Sequence, residues 1–347
     1  MKYLFLFLSL FGELLAQTKP AFDTTRCQKF NSSIIIGLFQ TYRNLNNNFT
    51  QGIYPDSAGV SNNDYFAESK LITGIEVNYD KFSFGLALSS KPQDGNSGKG
   101  YTKAVGANFN FGGNVWQLEN TYRSFKGFYD RNTAAYDTNF KYTGQYNYQS
   151  NYLNTLGRTK FMYFTNHRRY SFKSAYSCNY RQLRSSASWI FSANSHYNLI
   201  RNDSSFFAPV SQAFYGDYAK MNRLSVYAIS MNAGAAVNIV FWRAFFAHAM
   251  FIVGPEQQWR TYSYLDGPNT KLSYLSLSGD LRFSIGLNFK RFYFLIFSRN
   301  DFALYNSSFV NLTGRSIGGG YILGWRFNTK TPEFYKKFQA TKLYSYF

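Results

Sequence analysis

Cysteine, histidine and proline are scarce here, with 2, 3 and 7 in 347 residues. Two cysteines, Cys27 and Cys178, make neither a disulfide scaffold nor a cysteine-rich metal site. Acidic residues are few as well, 18 against 37 basic ones, for a net charge of +19. That excess comes without an arginine-rich helix or zinc-ligand spacing, so no nucleic-acid partner is expected. Attraction to anionic lipid or lipopolysaccharide is the simpler reading. Long apolar runs are missing too. The one sustained stretch, residues 3–11, falls short of the roughly 20 residues that a helix needs to cross a bilayer. With Lys2 before it and Ala16 after it, residues 1–16 read as a signal peptide.

Aromatics are abundant: 37 Phe, 30 Tyr and 5 Trp, or 21% of the chain, at a mean hydropathy of only −0.33. They recur at period two. Phe82, Phe84, Leu86 and Leu88 alternate with Ser83, Gly85, Ala87 and Ser89, as in a strand with one oily and one polar face. Similar segments occur near 32–44, 68–79, 82–91, 100–111, 114–129, 149–165, 170–181, 186–201, 222–240, 244–259, 271–289, 292–305 and 313–328. Short connections (80–81, 112–114, 166–169, 241–243, 290–291) alternate with long ones. The expected fold class is all-β: a transmembrane antiparallel outer-membrane barrel of about 12 strands, with 14 as the alternative, short periplasmic turns and long extracellular loops.

The thirteen segments break the even-number rule. The apolar phase is even in 170–181 and odd after residue 185, so the two segments read as one strand with a bulge at 182–185, giving twelve. In that phase Cys178 faces lipid with Tyr176 and Tyr180, and both cysteines are expected to be free. The division is then signal peptide 1–16, periplasmic N-terminal segment 17–31, barrel 32–328 and basic tail 329–347, the tail being solvated.

The polar phase supplies the candidate lumen-lining residues Glu76, Asn108, Lys173, Asn194, His196, Asp280, Arg282 and Arg326, with Asn78, Asn110, Asn179 and Arg181 beside them. Segments 149–165 and 244–259 alternate too poorly to assign a face. Asp280, Arg282 and Arg326 suggest either ion pairs stabilising the barrel or a charged constriction. His167, His196 and His248 lack the His-x-Ser spacing of outer-membrane hydrolases, so no catalytic residue is expected. Neither Asp301 nor the 203–205 run has calcium-loop spacing, and no metal or cofactor is expected.

Residues 170–175 (YSFKSA), 181–188 (RQLRSSAS) and 201–205 (RNDSS) resemble a Bacteroidota group of outer-membrane barrels, the domain-of-unknown-function 4421 family. The resemblance extends through 232–240 to the closing 321–327, and the tail departs from it. It implies a barrel in the outer membrane and carries no catalytic residues. The leading expectation is a non-enzymatic channel or structural envelope protein for small polar solutes. A transporter or binder of apolar ligands is the alternative, favoured by a dry aromatic lumen. A lipid-acting barrel enzyme is the second, favoured by serine and histidine on one inner face.

Overall fold

Period-two segments become strands because alternate side chains can leave for two different environments. The strands are β1 (Cys27–Lys29), β2 (Ser33–Gln51), β3 (Asn63–Phe66), β4 (Ile72–Tyr79), β5 (Phe82–Ser89), β6 (Lys103–Gly112), β7 (Trp116–Asp130) and β8 (Asn147–Phe164). They continue with β9 (Tyr180–Gln182), β10 (Ser186–Arg201), β11 (Met221–Phe241), β12 (Phe245–Tyr264), β13 (Thr270–Asn288), β14 (Phe292–Tyr305) and β15 (Val310–Asn328). The structure is a computed structural model describing residues 22–30, 32–51, 60–67, 71–89, 98–242, 244–305, 310–341 and 344. The signal-peptide reading lies outside the described residues.

β2, β4 to β8 and β10 to β15 form one antiparallel ring of twelve. The last strand pairs with the first from Val310 against Gln51 to Asn328 against Ser33. Closure leaves no open edge, as a sheet surrounded by hydrocarbon requires. β3 extends β4 along β2, with Phe66 opposite Asn46, and meets β7 at Tyr65 and Asp130. Leu38, Leu86, Phe191, Leu277, Ile285 and Trp325 are exposed on the outer face, while Glu76, Asn194, His196, Asp280, Arg282 and Arg326 are buried inside. No helix of the described residues is long and apolar enough to cross a membrane.

The ring reaches twelve by a different route from the one expected. Residues 170–181 do not continue β10. They belong to a segment, 165–185, that leaves the wall, makes a 3-10 turn at Phe172–Ser174 and fills the barrel mouth. Its only strand, β9, pairs with β1 outside the ring. The phase change near residue 182 therefore marks the passage from plug to wall. Cys178 faces no lipid: it is fully buried in the plug, with φ 52°. The 166–169 turn likewise opens this segment and is not a hairpin between neighbouring strands.

The inner glycines of β15 let long side chains of the neighbouring strands lie across its inner face. A Cβ at Gly324 would lie 2.2 Å from the Tyr293 ring, and one at Gly318 would lie 2.9 Å from the Arg43 guanidinium. At the long-loop end, connection 131–146 carries helices α1 (Thr133–Tyr136) and α2 (Phe140–Thr143). After β15 the chain forms helix α3 (Glu333–Gln339). The tail is not wholly solvated: Tyr335 is buried against the turn between β4 and β5.

Candidate functional site

The interior has three layers. At the long-loop end, aromatic side chains from the wall and from the 202–220 connection pack together. Phe206 stacks on Phe49 with ring centroids 5.2 Å apart, and Phe207 stacks on Tyr215 at 3.6 Å. Tyr65 donates its hydroxyl to the Phe206 carbonyl. Tyr215 donates to the carbonyls of Phe49, at 3.0 Å, and Ser61. Buried phenols need partners, and these tie the connection to β2, to β3 and to Ser61 just before it.

The middle layer is ionic. Arg282 of β13 makes a two-pronged bond to Glu119 of β7, at 2.9 and 2.8 Å. The same guanidinium holds Asp280 at 2.6 Å, and Lys160 of β8 reaches Asp280 at 2.5 Å. Asp301 of β14 accepts from Arg158 at 2.7 Å and from Arg123 of β7 at 3.3 Å. β7 and β14 stand on opposite sides of the ring, so these bonds cross the lumen. Unpaired charges buried here would cost several kcal/mol each, on the order given by desolvation. Pairing and forked geometry remove most of that penalty.

Between the aromatic and ionic layers lies a chamber of about 100 Å³, bordered by Asn47, Arg123, Asn154, Arg158, Lys160, Asn194, His196, Asn198, Glu256 and Asp301. A second cavity of about 110 Å³ lies against β4 to β7, with Arg43, Glu76, Asn108 and Arg299 on its border.

The third layer is the plug. Outside its 3-10 turn and β9 the segment is irregular, so many of its carbonyls need outside donors, and inward side chains of the wall supply them. Asn238 donates to Ser171 O at 2.9 Å, and Ser284 donates to Ala175 O at 3.0 Å. Asn288 donates to Ser174 O and Tyr180 O at 3.2 and 3.1 Å. Arg326 donates to Cys178 O at 2.7 Å. His248 is held from the other side, with Tyr170 OH 2.8 Å from Nε2 and Tyr176 OH 3.0 Å from Nδ1. A neutral imidazole gives one proton and accepts another, which satisfies both phenols.

Below the plug, the turn between β4 and β5 is a clasp. Asp80 sits at φ 47°, a conformation that a short polar side chain tolerates. Its carboxylate takes Lys29 at 2.6 Å, Tyr335 at 2.8 Å and the Tyr344 hydroxyl. Its backbone carbonyl accepts from Asn179 at 2.8 Å, while Lys173 donates to Lys81 O at 3.1 Å. One turn thus joins the N-terminal segment, the plug and the tail. Burial pushes the Lys173 amine down to about 7; Asp80 opposes this, and Lys29 and Lys81 add to it. Lys81 falls to about 8, again chiefly by burial.

The sequence-predicted lumen residues fall into separate groups. Asp280 and Arg282 are central to the ionic layer, Asn194 and His196 border the chamber, and Glu76 and Asn108 border the second cavity. Lys173 is a plug residue rather than a wall residue, and Arg326 grips the plug instead of joining the ion pairs. Sequence reasoning missed Glu119, Arg123, Arg158, Lys160, Glu256 and Asp301. Three sit on strands whose alternation is blurred. In β12 the inward phase includes Phe246, Met250 and Ile252 as well as Glu256 and Arg260, because plug and wall share an apolar core there. The spacing Arg158-x-Lys160 was a signal available without the structure.

The family model described as Domain of unknown function (DUF4421) matches residues 21–327. No curated protein matches. Among solved structures, the outer membrane protease OmpT from Escherichia coli is similar, at 7% identity and TM-score 0.36, covering 86% of this chain and 98% of that one. The Ralstonia pickettii toluene transporter TbuX gives 9% identity and TM-score 0.29, covering 86% and 90%. A Pseudomonas aeruginosa FadL homologue gives 9% and 0.26, covering 86% and 90%.

Proposed function

The chain belongs to that family, whose description assigns no activity, and we propose from its geometry that it is a gated outer-membrane channel for small polar solutes. The observation that carries this is the 165–185 plug. It fills the mouth through hydrogen bonds from wall side chains and not through strand pairing within the ring, so it can leave without opening the wall. Barrels of this class keep short turns in the periplasm, which puts plug, clasp and tail on that side. Outer-membrane lipid surrounds the apolar outer face, and the basic excess suits anionic lipopolysaccharide.

The role is non-enzymatic. Both ring nitrogens of His248 are taken by tyrosines, and His196 stands between Asn194 and Asn198 with its Nδ1 3.8 Å from Glu256. A second reading, passage of apolar ligands, has the aromatic layer in its favour; the charges that span the lumen below it weigh against it.

Planar-bilayer recording tests the gate. Wild-type protein should stay closed with rare openings, and the Asn288→Ala/Arg326→Ala double variant should open frequently. Cys178 reports the same motion. Its thiol is buried, with its pKa pushed up to about 12, and in a Cys27→Ser background a maleimide should label it only in the double variant. A steadily open wild type, or a folded double variant that stays silent with Cys178 protected, would overturn the gate.

A further inference from the structure

We infer that the chamber is a binding site for a small uncharged polyhydroxylated solute, the class of sugar alcohols and simple sugars, recognised by Asn194, His196 and Asn198. This rests on the polar-solute reading above. The three residues are successive inward positions of β10, and all border the chamber. Asn194 is 8% exposed and His196 6%. Asn194 Oδ1, His196 Nε2 and Asn198 Oδ1 are buried and have no hydrogen-bond partner among the described residues. Leaving such groups unmet is expensive, roughly 1–3 kcal/mol apiece, so the site calls for a ligand that meets them.

Most of the free valences accept: Glu256 Oε2 adds a fourth acceptor on the border, and Asn47 Nδ2 is, among the described residues, a free donor there. Asn194 directs its amide nitrogen to Ser230 Oγ at 3.3 Å, which leaves the oxygen facing inward. Glu256 lies on the Nδ1 side of His196, at 3.8 Å, which favours the proton on Nδ1 and leaves Nε2 as an acceptor. Three acceptors in a row want donors and Asn47 wants an acceptor, and a hydroxyl is both.

Charge settles the rest of the choice. Arg123 and Arg158 share Asp301, and Lys160 is held by Asp280, so an anion would compete with carboxylates already in place and would also meet Glu256 on the border. A cationic solute would meet three positive groups at short range. The volume, about 100 Å³, is several times the roughly 10–15 Å³ that one water needs, enough for a solute larger than water.

Saturation-transfer NMR on the purified full chain, with sorbitol, gluconate and glucosamine as probes, tests the assignment. Sorbitol should give transfer that gluconate and glucosamine do not match. Asn194→Leu and His196→Leu should each weaken it roughly tenfold, with Asn198→Leu as a further variant and heat-modifiable migration as the check on folding. Equal transfer to all three probes, or sorbitol transfer untouched in folded variants, would overturn the site. Binding by a protein that never conducts would keep the site and remove the channel; a conducting double variant that ignores sorbitol would do the reverse.

Discussion

Arg282 shows how much one side chain carries inside this barrel. Its guanidinium faces carboxylates from two strands, Glu119 and Asp280, and Lys160 shares the second of them. Removing the arginine leaves two buried acids with a single lysine between them. Arg282→Met should therefore cost roughly 3–5 kcal/mol, read as a lower temperature for loss of the folded band on semi-native gels. The double change Arg282→Met/Glu119→Leu should recover much of that loss, because it removes a charge along with its partner. Part of this was legible beforehand: Asp280 and Arg282 share the polar phase of a cleanly alternating strand. Lys160 was hidden because its neighbours on the inner face of β8, Met162 and Phe164, are themselves buried and apolar. Hydropathy separates inside from outside only where the inside is wet.

Among elements, the plug was the least legible. Its even-phase aromatics imitate a strand, yet Phe172 stacks on Phe164 and Tyr170 and Tyr176 converge on His248. A segment enclosed on all sides can put an aromatic at any position, so period two carried no face information there. Its seating should depend on pH through Lys173 and Lys81. Lysine ordinarily titrates near 10.5, and burial brings these two to about 7 and 8. Between those values and 10.5 the released plug holds more protons than the seated one, so seating strengthens as pH rises through that window. It is weakest at and below pH 7. Asp80, held below its usual range by Lys29 against the cost of burial, stays ionised throughout. Open probability in bilayers should accordingly be higher at about pH 6.5 than at about pH 9.5. Lys173→Met should flatten that slope; an unchanged slope would exclude Lys173 as its source.

For the whole molecule, the closed wall of twelve strands owes its closure to one physical rule, that lipid tolerates no unpaired backbone. That rule is why so much of the ring could be read from the alternation in strands such as β5 and β13. It also predicts an asymmetry across the wall. Leu277 is 54% exposed and its neighbour Ser278 5%. Leu277→Arg should impair insertion, at roughly 2–4 kcal/mol near the bilayer midplane. Ser278→Arg should insert and enter the chamber instead. Folded yield in lipid vesicles separates the two, and equal losses would mean the faces are reversed.

The clasp at Asp80 has a practical consequence for anyone handling this protein. Lys29 near one end of the chain and Tyr344 near the other both close on the same carboxylate, and Ser32 bonds Thr329 and Thr331 beside the seam. An affinity handle fused after Tyr344, or close ahead of Lys29, would sit on the latch. Permeability recorded from such a fusion would describe the handle as much as the protein. A handle placed in the 131–146 connection, at the opposite rim, leaves the latch untouched, and comparing the two placements would itself measure how tightly it is shut.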